Sequence, residues 1–227
     1  MNILLVGAMK NEIDFFINNL EFNKKNIING FCFYECKYQK HNVYLVESGI
    51  GRTMAGVLIG VASSNYKIDK VINIGIAGGV KPITIKDVIA CSQYVYGDVD
   101  VTFFNYEYGQ MAQCPKVFKA DEEMLEIAKG NNVVSGTICT CDSFTSSIEA
   151  VNRINEKLSD INDIICFDME SCAFAQACYF MKLPFIAIRS VSDIIGDSNQ
   201  NQEYSDNEET PAEQANRLVL AIINHLK

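Results

Sequence analysis

The chain has 227 residues, 48% of them apolar and 21% charged. That is enough to bury a sizeable core without disulfides or metal, and too apolar for intrinsic disorder. With 28 acids against 19 bases the net charge is −9, which argues against a nucleic-acid or anionic-membrane partner, since either needs a basic face. No apolar run approaches the roughly 20 residues needed to span a bilayer.

Met1 to Gly7 lacks a basic leader and opens an apolar run, Ile3 to Met9, of strand length; it reads as a first strand and not as a signal peptide. Ile13, Phe16, Ile17 and Leu20 follow at i, i+3, i+4, i+7 spacing, which predicts an amphipathic helix. Gly30 to Lys37 and Asn42 to Ser48 read as a hairpin joined by a short polar turn that contains His41. Met54 to Ser64 reads as a small-residue helix. Val71 to Ile76 reads as a buried strand ending in a Gly-rich turn, Gly75 to Gly79. Strands are expected over Asp87–Tyr96 and Val133–Cys141, with a helix at 121–129 between them. A short strand at Ile164–Phe167 leads into a helix lined with small residues from Asp168 to Ala177, and Phe185–Val191 is the next strand. Gly196 to Glu209 is a polar segment that reads as a long loop, a lid or simply a mobile stretch. Thr210-Pro211-Ala212-Glu213 has the signature of a capped helix start.

Buried strands alternating with helices imply a sheet covered on both faces: one α/β domain over residues 1–227, three-layer αβα around a central twisted sheet. The hairpin makes that sheet mixed. The nine cysteines have no redox or zinc spacing and fall mostly in apolar runs, as reduced structural residues of a cytoplasmic protein do. The two histidines, His41 and His225, leave little for a nucleophilic triad or a His-rich metal site. Chemistry here must come from carboxylates.

Ligands of open α/β sheets bind outside the carboxyl ends of the strands. Glu12, Glu170 and Asp193 each follow a predicted strand. Singly, each has a structural reading: an acid in a first helical turn complements the helix dipole, and Asp193 suits a turn or cap. Together, beside the close backbone approach that Gly78-Gly79 allows, they favour a site with three carboxylates in one crevice.

Eight motifs in chain order then carry a resemblance: Gly7-Ala8-Met9-Lys10-Asn11-Glu12, Ser48-Gly49-Ile50-Gly51, Asn73 to Gly79, Asp100-Val101-Thr102, Tyr106 to Gln110, Asp142-Ser143-Phe144, Met169-Glu170 and Ser192-Asp193. Over residues 1 to about 195 the chain resembles the 5′-methylthioadenosine/S-adenosylhomocysteine nucleosidases of the purine nucleoside phosphorylase superfamily. The resemblance implies a nucleoside phosphorylase-like fold, a homodimer, no cofactor or metal, and hydrolysis of the bond between adenine and a 5′-thio-substituted ribose, with 5′-deoxyadenosine as a further substrate. It implies Glu12 as the base that activates water and Asp193 as the acid that protonates adenine at N7. It implies that Met169 and Glu170 hold the ribose, that Phe144 stacks on adenine, and that the Thr145 backbone hydrogen-bonds it. Gly78, Ala8, Met9, Ile50, Arg189 and Ser192 would complete the substrate site. Val101, Phe104 and Tyr106 would close the partner subunit's 5′-alkylthio pocket, and Tyr204 would be an aromatic lid.

Two positions depart from the family pattern. Ile76 stands where members usually carry Ser or Thr, and Asp168 where they usually carry Glu; the resemblance associates both with the water beside Glu12, and Arg189 with the same water. Two alternatives follow. One is a phosphate-dependent phosphorylase, disfavoured by a chain with only Arg52, Arg153, Arg189 and Arg217 and by an acid in the first βα turn. The other is a nucleoside-binding protein impaired in catalysis.

Overall fold

The computed structural model describes residues 1–131, 133–207 and 213–227. The strands are β1 (Asn2–Gly7), β2 (Lys24–Ile28), β3 (Phe31–Tyr38), β4 (His41–Glu47), β5 (Lys70–Gly79), β6 (Val88–Tyr96), β7 (Phe118–Lys119), β8 (Val134–Thr140), β9 (Ile164–Asp168) and β10 (Phe185–Ile194). The helices are α1 (Lys10–Asn19), α2 (Arg52–Asn65), α3 (Glu122–Lys129), α4 (Ile148–Lys157), α5 (Ser171–Met181), α6 (Gln200–Asn207) and α7 (Glu213–His225). The strands form one mixed sheet ordered β10-β6-β8-β9-β5-β1-β4-β3-β2, with β7 on β6. Helices α2 and α5 pack on each other, α3 packs on α7, and both α5 and α7 lie against β5, β6 and β10. This is the expected three-layer α/β arrangement of nucleoside phosphorylase type.

The sheet is not simply open. Strand β5 pairs with β10 in parallel along Val71–Gly79, so β5, β10, β6, β8 and β9 close on themselves. The other edge of β5 is shared. Strand β1 pairs with Lys70–Asn73, and β9 takes over only at Gly78 and Gly79. Between those registers β5 has, among the described residues, a short edge with no strand partner, and the sheet splits there.

The core follows the apolar runs. Ile3 to Val6, Val71, Ile72 and Ile186 to Ile188 are all buried, as strands covered on both faces must be. Helix α1 buries Ile13 and Phe16 on the predicted stripe. Helix α3 starts at the N-cap Asp121, whose side chain accepts from the Met124 N–H. All nine cysteines are free and eight are buried. Among the described residues no helix is long and apolar enough to cross a membrane.

Several expectations are corrected. Gly75–Gly79 is strand, not turn: strands β10 and then β9 supply its pairs. Strand β10 runs on to Ile194, so Asp193 sits within it, at a bulge between Val191 and Asp193. His41 does not lie in the polar turn; it opens β4 and is buried. Strand β2 and helix α4 had no expectation. The sequence of β2, Lys-Lys-Asn-Ile-Ile, is too polar to signal a strand; α4 is amphipathic, buries Val151 and starts at the N-cap Ser147, whose side chain accepts from the Ala150 N–H. The polar 196–209 segment contains helix α6 up to Asn207; residues 208 and 209 and the capping residues Thr210 to Ala212 lie outside the described residues.

Leu5 is fully buried on β1, the strand next to the split. Leu5→Ala should therefore cost about 2–5 kcal/mol, seen as a lower urea midpoint with an unchanged denaturant slope.

Candidate active site

The cleft opens where the sheet splits. Its cavity volume is about 100 Å³. Its lining brings together Glu12, Glu170 and Asp193, the three acids expected to converge. Ala8, Met9, Ile50 and Gly78 line it too, with Phe144, Thr145, Met169 and Ser192, and so do Ile76, Phe167, Asp168, Ile195 and Tyr204. Arg189 is not on the lining. It lies beneath the acids, 2% exposed. Val101, Phe104 and Tyr106 lie outside this cleft, and Phe104 is 68% exposed.

Glu12 comes from the first turn of α1. Its Oε2 accepts from the backbone N–H groups of Ala8 (2.6 Å) and Met9 (3.0 Å). Its Oε1 accepts from Ile76 N–H at 3.0 Å, on the unpaired edge of β5. Position 76 thus serves the carboxylate through its backbone, and the aliphatic side chain faces the cleft. Gly75 is required beside it: a Cβ there would lie 2.5 Å from Glu12 Oε1. Burial pushes the Glu12 carboxyl above its usual range, while Arg189 and the three amides oppose that shift.

Glu170 is the N-cap residue of α5 and accepts from the Gly51 N–H at 2.8 Å. Burial first, and then the Asp168 charge, push its carboxyl up to about 7. Asp193 has both oxygens engaged. Ser192 Oγ donates to Oδ1 at 2.6 Å and Gln200 Nε2 to Oδ2 at 2.8 Å. Burial raises its pKa against both of these hydrogen bonds.

Asp168 is committed elsewhere. Its Oδ2 accepts from Arg189 (2.9 Å) and from Ser171 N–H (2.9 Å), and its Oδ1 from Thr140 Oγ1 (2.6 Å). Arg189 also donates to Ser171 Oγ at 2.6 Å and to the Asn73 side chain. The shorter acid at 168 therefore reaches a full set of donors below the cleft floor.

On the far side of the cleft, the Phe144 and Tyr204 rings meet edge to face at 5.4 Å. Tyr204 stands on α6, the helix that reads as loop in the sequence. Two contributors left no signal in sequence reading. Gln200 sits in a segment of uniformly polar composition. Arg52 opens α2 and binds Asp98 (2.7 Å) and Asp142 (2.5 Å), tying together the loops that follow β6 and β8. Neither acid adjoins Arg52 in sequence, so the clamp appears only after folding.

Residues 2–224 match the family model described as Phosphorylase superfamily. The 5′-methylthioadenosine/S-adenosylhomocysteine nucleosidase of Bacillus subtilis (strain 168) is 34% identical over 234 residues, which cover 100% of both chains. The Streptococcus pneumoniae MTA/SAH nucleosidase in complex with 8-aminoadenine superposes with a TM-score of 0.93 at 29% identity over 100% of each chain. The Colwellia psychrerythraea 34H nucleosidase in complex with adenine gives 0.93 at 30% identity, over 100% of this chain and 96% of that one. The chain belongs to the phosphorylase superfamily and, within it, to the 5′-methylthioadenosine/S-adenosylhomocysteine nucleosidase family.

The raised carboxyl of Glu170 has a consequence for stability. A folded-state pKa near 7 against an ordinary 4.5 means that the folded chain holds this proton more tightly than the unfolded one. The contribution is full below about 4.5 and is lost as pH rises through about 7. The urea midpoint of the ligand-free protein should decline over that window, and Glu170→Gln should remove this part of the decline. An identical slope in the variant would contradict the assignment.

Proposed function

We propose the following division of labour in the cleft. The chain is an N-glycosyl hydrolase that splits 5′-methylthioadenosine and S-adenosylhomocysteine, releasing adenine. The adenine ring lies on Phe144 and reaches Asp193 and the Thr145 backbone. Ribose hydroxyls donate to Glu170, and Met169 packs against the sugar. The 5′ sulfur points outward past Ile50 and Met9. 5′-Deoxyadenosine presents the same base and sugar and is a further substrate.

The chemistry suits these groups. As the N9–C1′ bond breaks, adenine would leave as a poor anion, so Asp193 delivers a proton to N7. A positioned acid of this kind contributes about 10²–10⁴-fold. The sugar becomes oxocarbenium-like, and Glu12 and Glu170 stabilise its positive charge in a desolvated cleft. Glu12 accepts a proton from water as the water oxygen bonds C1′. The observation that carries the reading is the convergence of three carboxylates, from three different elements, on one cleft. Glu12 and Asp193 differ in their surroundings. Burial raises the proton affinity of both; at Glu12 Arg189 and three amides oppose that rise, while at Asp193 the Ser192 and Gln200 hydrogen bonds oppose it and the Glu203 charge adds to it. Of the arginines, Arg52 and Arg189 are engaged with aspartates, which suits water and not phosphate as the co-substrate.

A homodimer completes the site. The outer face of α2 exposes Met54 and Val57 beside Ile50, and Phe103 and Phe104 are exposed on the turn at 102–104. These apolar groups suit a second copy, whose Val101, Phe104 and Tyr106 would close the 5′ end of the cleft. The nine free thiols suit a reducing compartment and support a cytoplasmic location.

Asp193→Asn and Glu12→Gln should each keep the fold and lower kcat by at least about 10²-fold. Adenine release from 5′-methylthioadenosine by the unaltered chain should be independent of added phosphate. Near-normal kcat in either variant would remove that residue from its role, and a strict phosphate requirement would overturn hydrolysis. For the dimer, sedimentation should give twice the chain mass. Phe104→Ala should raise KM for 5′-methylthioadenosine more than it lowers kcat.

A further inference from the structure

Helix α6 carries three polar side chains at i, i+3 and i+7, and all three engage the end of β10. Glu203 Oε2 accepts from Ile194 N–H at 3.1 Å. Asn207 Nδ2 donates to Ser192 O at 3.1 Å. Gln200 Oε1 accepts from Gly196 N–H at 3.1 Å, and its Nε2 donates to Asp193 Oδ2 at 2.8 Å and to Thr145 O at 3.3 Å. The orientation of the Gln200 amide is set by its neighbours. The Gly196 N–H can only donate, so it must face the amide oxygen; the Asp193 carboxylate and the Thr145 carbonyl accept, so they must face the amide nitrogen.

Gln200 is 5% exposed and does not line the cleft, whereas Asp193 and Thr145 both do. It therefore reaches the two groups assigned to the purine from behind. Ser192 Oγ holds the other carboxylate oxygen, so the carboxyl plane is held at both ends. Each oxygen keeps a further lone-pair position, one of which can carry the proton given to N7.

We propose that Gln200 is a positioning residue: a single buried amide that fixes the Asp193 carboxyl and the Thr145 carbonyl in one register, so that the acid and the base-recognition loop meet the purine together. The inference rests on the reading of Asp193 as the acid. It also sets the proton affinity of that acid. A hydrogen bond donated to Oδ2 favours the ionised form and offsets part of the effect of burial. Among the described residues, the charged group acting on Asp193 is Glu203 from α6. Strand β5 brings the uncharged Gly78 backbone against the carboxyl, and residues 143–145 bring no ionisable side chain.

Gln200→Met keeps the length of the side chain and removes its donor and acceptor. Gln200→Glu keeps the shape and adds a like charge. With 5′-methylthioadenosine as substrate, Gln200→Met should lower kcat by about 10- to 10²-fold and change KM less than about threefold, a fraction of that loss. Asp193 must be protonated to act, so the alkaline limb of kcat/KM follows its pKa. Loss of the donor raises that pKa, and the limb should move to higher pH in Gln200→Met and further in Gln200→Glu. A limb unmoved in both variants, or a kcat within about twofold of the unaltered chain, would overturn the inference. So would kcat and KM changing together with a lowered melting temperature and a fixed limb, which is what a merely structural residue gives. Asp193→Asn assayed in parallel separates the two levels. Near-normal turnover there would sink the acid assignment itself, whereas an inactive Asp193→Asn beside an unaffected Gln200→Met would sink only the role of Gln200.

Discussion

The Arg189–Asp168 ion pair, both side chains 2% exposed, is what the rest of the site depends on. Four carboxylates, Glu12, Asp168, Glu170 and Asp193, line one cleft, and burying that much negative charge is costly unless it is paired. Arg189 reaches Asp168 on β9, Asn73 on β5 and Ser171 on α5, so it also pins together the strands that part at the cleft. A buried pair of this kind is weak evidence for net stability. Its value here is the pattern of charge it leaves. Arg189 lowers the proton affinity of Glu12 and of Glu170, while Asp193 stands beyond its influence and next to Glu203. Burial raises the proton affinity of both Glu12 and Asp193; at Glu12 the Arg189 charge and three backbone amides oppose that rise, and at Asp193 the Ser192 and Gln200 hydrogen bonds do.

The split in the sheet is the geometric counterpart. On one edge of β5, β1 pairs as far as Asn73 and β9 begins at Gly78. A backbone N–H exposed inside a protein must find an acceptor, and that of Ile76 finds Glu12. The glycines around it are explained by the same crowding. Gly75 leaves room for the carboxylate, and Gly78 lies where a Cβ would stand 3.3 Å from Asp193 Oδ2.

Much of this was legible in the residues. The strand–helix alternation, the hairpin and the placement of Glu12 and Glu170 just past strand ends follow from hydrophobic period and position, and each appears in the structure. What was illegible has physical reasons. Gly75–Gly79 has the composition of a turn, yet it is strand because two neighbours pair with it, and pairing is not local information. Asp193 reads as a turn residue because a buried strand carboxylate needs partners, Ser192 and Gln200, whose roles emerge only in three dimensions. Helix α6 is masked by its polarity: it turns side-chain amides and a carboxylate, not an apolar stripe, toward the body of the protein, so no 3.6-residue hydrophobic period marks it.

Ile76 brings these strands of argument together. Its side chain departs from the family pattern at the place where the resemblance puts water, which taken alone suggests an impaired site. Glu12, however, draws on the backbone of this position, and any residue but proline supplies an N–H. The geometry of the base is therefore indifferent to the substitution. With Ile at this position the Glu12 carboxylate keeps three amides and a nearby guanidinium. In this cleft the orientation of the Glu12 carboxylate is a property of the main chain, so the role proposed for Glu12 does not depend on the side chain at 76.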